Sequence, residues 1–173
     1  MEAVPFTIQM TPCSGPIPEL EIPMINTIAA CLGSQHRKLN DLNMRFAFAA
    51  TQLARDPGDA DAYQRALKAW DDIRQDLWSH LQIEDELVFE WGEAHHAVSH
   101  TTLETLKNER EEMRKTIAAL RAWSSGADSG AAAAGDRGSF AQTSLALART
   151  LDAHIERYDG EVLPSILRAL FRK

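Results

Sequence analysis

Apolar side chains recur at alternating steps of four and three along most of this chain, a spacing that suits helices with one buried stripe. In residues 23–55 the steps pass through Ile25, Ala29, Leu32, His36, Leu39, Asn43, Phe46, Ala50 and Leu53. In 59–91 they pass through Tyr63, Ala66, Trp70, Ile73, Leu77, His80, Glu84, Leu87 and Trp91. A third stripe, in 94–123, holds Leu103, Leu106, Met113, Ile117 and Leu120; a fourth, in 139–170, holds Phe140, Leu147, Leu151 and His154. No strand-type alternation competes. The expected fold class is all-α: an up-down-up-down four-helix bundle whose short breaks make sequential helices antiparallel neighbours.

Proline and glycine punctuate the stripes. Residues 1–22 carry four of the seven prolines and read as an irregular N-terminal arm, leaving 23–173 as the bundle. Pro23 suits a first helical turn, where its missing N–H is not needed. Further breaks fall at DPGD (56–59), at Gly92, and over Ser124–Ser139, a small-residue run that predicts a mobile loop. A length of 173 residues suits one domain with its own core. Two cysteines, Cys13 and Cys31, make no disulfide framework, and Cys31 is expected to be a small buried side chain. With no leader pattern and no apolar run long enough to span a bilayer, the chain reads as cytoplasmic, with no membrane partner. A net charge of −7 argues against nucleic acid, which needs clustered Lys and Arg.

Function is written where the stripes are interrupted. His36 lies in the first, His80 and Glu84 in the second, and His154 in the fourth, five residues before Asp159. His96 and His100 stand one turn apart near the expected start of the third helix. Burying imidazoles and a carboxylate in apolar seams is costly unless something compensates, and a metal ion is the strongest compensation available. A lone inward histidine is an ordinary core residue; the argument rests on every helix supplying one, at depths that converge near one end of the bundle. His95 should point elsewhere, the run KNEREEMRK (107–115) reads as a solvated face with Arg110 able to pair inside, and the four tryptophans read as packing.

The ordered set resembles the hemerythrin or HHE cation-binding family: a His on the first helix, then HLQIE (80–84), HAVSH (96–100) and HIERYD (154–159). The resemblance covers residues from about 23 to 170. It implies a cofactor of two iron ions, oxo- or hydroxo-bridged. His96, His100 and His154 would hold one iron, His36 and His80 the other, with Glu84 and Asp159 bridging. One position stays open for O2, nitric oxide, azide or peroxide, flanked by Leu32, Leu39, Leu77, Leu103 and Leu151. In an α-helix Asp159 lies about 140° round from His154, so Glu161 is a reserve carboxylate, and Gly160 and Pro164 suggest local irregularity there. Tyr158 is either a core aromatic or a phenol facing the bound ligand. The resemblance implies an O2 or nitric oxide binder for sensing, storage or delivery. The alternatives are a di-iron enzyme turning over peroxide or nitric oxide, and an iron- or redox-responsive regulator acting on an unidentified protein partner.

Overall fold

The computed structural model describes residues 22–127 and 134–171. The expected arm at 1–22, with Cys13, falls outside them except at its last residue. Four long helices carry the structure: α1 (Ile22–Arg55), α2 (Ala60–Glu84), α4 (His100–Ala127) and α5 (Ala134–Arg157). Two π-helical segments extend them. Asp85–Trp91 leads from α2 into the short α3 (Gly92–Ala94), and Tyr158–Val162 leads from α5 into α6 (Leu163–Phe171). No strand occurs among the described residues.

The turn between α1 and α2 is built by its sequence. Asp56 Oδ1 accepts from the Gly58 N–H, and Asp59 caps α2 by accepting from the N–H groups of Asp61 and Ala62. Cross-helix pairs then fix direction. Lys38 meets Asp76 while Gln35 meets His80, so α2 runs back along α1. Asn43 donates to the Ala148 carbonyl and to Asp152, whereas His36 reaches Asp159, so α5 is also antiparallel to α1. Glu109 meets Arg157 while Thr102 meets Glu161, which makes α4 antiparallel to α5. The result is the up-down-up-down four-helix bundle expected from the stripes.

The stripes are the core. Leu39, Phe46, Leu53, Trp70, Ile73, Leu77, Met113, Leu120, Phe140, Leu147 and Leu151 are all buried. The side chains of Ile25, Ala29, Leu87 and Trp91 lie outside the described set. The apolar interior falls into two parts, a large one around Phe46 and Trp70 and a smaller one around Leu32, Val88, Leu106 and Tyr158. On all four long helices a polar residue separates the parts: His36 between Leu32 and Leu39, Glu84 between Leu81 and Val88, Arg110 between Leu106 and Met113, and His154 between Leu151 and Tyr158.

Several expectations are corrected. The loop foreseen over Ser124–Ser139 is helical at both ends, since α4 continues to Ala127 and α5 begins at Ala134; residues 128–133 lie outside the described residues. Alanine is the best helix former and Asp136 sits in the first turn of α5, where the helix dipole favours an acid. The third helix does not begin near residue 94 but at His100. Trp78 is 45% exposed rather than packed, and Cys31 is exposed rather than buried.

Candidate metal centre

The polar layer gathers side chains from α1, α2 and α5 around one carboxylate. Donor atoms of His36, His80 and Glu84 all lie within 4.8 Å of one another, and all three residues are buried. The His36 and His80 rings meet edge to face at 4.7 Å between centroids. From α5, His154 Nε2 stands 3.1 Å from each oxygen of Glu84. The expected lining leucines, Leu32, Leu39, Leu77, Leu103 and Leu151, are buried, although leucines at these positions also serve as ordinary core.

The three imidazoles are held from behind in the same sense. His36 Nδ1–H donates to Asp159 Oδ1 at 2.6 Å, His80 Nδ1 meets Gln35 Oε1 at 3.3 Å, and His154 Nδ1 faces Glu109 Oε2 at 3.4 Å. An acceptor on one ring nitrogen sets the tautomer and leaves the other nitrogen as a lone-pair donor, the usual arrangement behind a metal-binding histidine. The buried Nε2 of His36 has no hydrogen-bond partner, and that of His80 meets only Glu84 Oε1, at 3.3 Å. Buried polar atoms are nearly always satisfied, so an unsatisfied imidazole nitrogen and a second one shared with a carboxylate fit a cation among them.

The protonation pattern follows from this packing. Burial would push Glu84 upward, but the neighbouring His154 and His80 outweigh it and hold the carboxyl well below its usual range. Burial would push His154 down; the Glu84 charge, aided by Glu109, overrides it and raises the imidazole to about 9. For His36 burial wins over Asp159 and the group is pushed down. Burial also pushes the Tyr158 phenol well above its usual range.

Of the seven residues singled out in the sequence, His36, His80, Glu84 and His154 come together, and Asp159 contacts the group through the far nitrogen of His36. His96 and His100 are exposed and are not among the side chains brought to the cluster. The cause is local. His96 has φ 49°, its N–H bonds to the Glu93 carbonyl, and Ala97 N–H bonds to the Gly92 carbonyl. This is a Schellman helix stop with His96 in the left-handed position. Ser99 then caps α4 by accepting from Thr102 N–H, which leaves His100 in the first turn. HAVSH therefore straddles two helices, and its i, i+4 spacing does not align the pair. At the other end, Leu163 N–H bonds to the Tyr158 carbonyl, an i to i+5 bond that takes up an extra residue. That π turn lets Asp159 reach His36 and turns Glu161 out to Arg157 and Thr102, so the reserve carboxylate stands away from the site.

Glu109 and Tyr158 complete the surroundings. Glu109 is only 17% exposed at its side chain and binds Arg157 as well as facing His154, whereas the run around it reads as solvated. Its neighbour Arg110 does pair inside the bundle, with the Leu81 carbonyl and Asp85. Glu109 stands three residues after buried Leu106 and four before buried Met113, a spacing hidden by the charges around it; only Arg110 at a seam position marked the place.

The middle of this four-helix bundle thus brings three buried histidines and one buried carboxylate together. Residues 27–166 match the hemerythrin HHE cation-binding domain, and the chain belongs to that family. No curated protein matches the chain, nor does any solved structure. Among the described residues no helix is long and apolar enough to cross a membrane.

Proposed function

We propose that this protein is a non-haem iron protein that takes up a small diatomic ligand, O2 or nitric oxide, for sensing, storage or delivery. The carrying observation is the gathering of buried donor atoms of His36, His80 and Glu84 within 4.8 Å of one another, with His36 Nε2 left unpartnered. Two imidazoles and one carboxylate are the donor set associated with ferrous iron that keeps positions open. His154 would join them on releasing its proton. Iron held there supplies an exchangeable position for such a ligand. The surrounding leucines keep water out, and Asp159, Gln35 and Glu109 fix the rings.

A second reading keeps the pair of irons expected from the resemblance, with Asp159, His96 and His100 added. The 2.6 Å contact between Asp159 and His36 favours it, since a small side-chain movement would bring that carboxylate to an ion. It requires the His95–Ser99 segment to rewind so that His96 and His100 turn inward.

Anaerobic loading with ferrous iron, followed by elemental analysis and visible spectra before and after O2 or nitric oxide, tests both. One iron per chain supports the four-residue site and two support the seven-residue pair. A reversible ligand spectrum supports binding, whereas steady consumption of nitric oxide or added peroxide supports an enzyme. His154→Ala is expected to lose iron, and an unchanged iron content in that variant would sink the assignment.

A further inference from the structure

Tyr158 is the largest polar side chain beside the cluster, and neither the packing nor the hydrogen bonding accounts for its hydroxyl. The residue is fully buried. Its ring stands edge-on to His36 at 4.8 Å between centroids and tilted against His154 at 6.5 Å. It therefore touches two donors that come from different helices. The hydroxyl is buried and makes no hydrogen bond. A tyrosine placed only for its bulk would ordinarily turn its oxygen toward water or a carbonyl, because a buried hydroxyl without a partner is costly.

The hydroxyl gives no hydrogen bond to the carboxylates beside it, Glu84 and Asp159. Both Glu84 oxygens face His154, and Asp159 Oδ1 is taken by His36. The backbone holds the ring where it is. Tyr158 lies one turn beyond His154, on the same face, and opens the π-helical segment through the bond from Leu163 N–H to its carbonyl. Val162 and Ile166 continue that buried face.

We propose that the Tyr158 oxygen is a further ligand of iron in this site, binding as phenolate to the ferric ion. The inference rests on the iron-site reading above. Charge explains the preference for the ferric state. The attraction of an anionic oxygen grows with the charge of the ion, and with neutral imidazoles and Glu84 alone a ferric ion keeps two uncompensated positive charges against one for a ferrous ion. A phenolate is a hard anionic donor of the kind that holds ferric iron in some haem proteins. The Tyr158 O–H bond breaks as the oxygen–iron bond forms, and the proton leaves to solvent, one per ion bound through this residue. Reduction by an added one-electron reductant such as ascorbate reverses the step: the ion takes the electron, the oxygen–iron bond breaks, and a solvent proton returns to the oxygen.

The test compares the full-length wild-type chain with Tyr158→Phe, each loaded with ferric iron. Phenylalanine keeps the ring and its packing, and circular dichroism checks that the bundle is retained. Wild-type protein is expected to show a visible phenolate-to-iron charge-transfer band, with tyrosine ring modes in resonance Raman spectra excited within it. Tyr158→Phe should lose both and bind ferric iron at least about tenfold more weakly. Iron bound by the wild type without the band, or with a band that survives in Tyr158→Phe, overturns the inference and leaves the iron site standing. Failure of the wild type to bind iron at all removes the site, and this inference with it.

Discussion

At His154 two carboxylates compete for one imidazole, and the outcome governs how the metal-free chain responds to pH. Its folded value of about 9 lies above the ordinary 6.5. The stability it contributes is therefore full below 6.5 and fades as pH rises from there through 9. Glu84, held low, contributes above its ordinary 4.5 and loses that contribution in more acidic solution. His36 works the other way, since its lowered value opposes folding once the unfolded ring is protonated below 6.5. Metal-free protein is expected to show a falling melting temperature between pH 6.5 and 9, and a flat profile there would remove the raised imidazole. At pH 7 the His154 proton stands where a cation's charge would be, so loading should release it, and the yield of protons is measurable in weakly buffered solution. Glu109→Gln removes the charge behind His154 and is expected to weaken metal binding by roughly tenfold or more in a metal titration.

At the scale of elements, His96 decides where one helix stops. Non-glycine residues with positive φ are strained by about 1 kcal/mol or more, which glycine avoids. His96→Gly is accordingly expected to raise the melting temperature by a few degrees and leave the iron content unchanged. Loss of one iron in that variant would instead restore His96 as a ligand. The contrast shows what sequence can carry. The stripes of α1 and α2 placed His36, His80 and Glu84 because each lies inside a continuous helix, where spacing maps directly onto direction. HAVSH failed to map because the helix breaks within it. The sign was present in Ser99, an N-capping residue ahead of Thr101, Thr102 and Leu103, but its cue competed with an attractive histidine pair. Irregularity near Gly160 and Pro164 was legible, though its form as a π turn was not, since it depends on which carbonyl Leu163 N–H selects. Glu109 carries no pattern of its own; only the neighbouring α5 makes it part of the site.

Across the whole molecule, one polar layer parts two apolar interiors. An ion binding there ties α1, α2 and α5 together and favours the folded state by mass action. Free metal at a hundred times its dissociation constant adds about 2.7 kcal/mol. For a domain of this size that corresponds to a rise of about 5–11 °C in melting temperature, reversed by a chelator. Hydrogen exchange should locate the gain in amides around His36, His80 and His154, and a gain spread evenly over the bundle would argue against the layer as the binding plane.

The two π-helical segments lie beside this layer, one just after Glu84 and one just after His154. Each takes more chain into a turn than an α-helix does, so α3 and α6 continue their parent helices in a shifted phase. The smaller apolar interior, with Val88, Val162 and Ile166, is cut to that phase. Chain length is thus as much a part of the site as its donors: removing Gly160 would leave every named side chain in the sequence while rotating Val162 and Ile166 relative to His154. Between relatives of this protein, a single-residue gap at either place would signal a differently aimed centre even where all the histidines are kept.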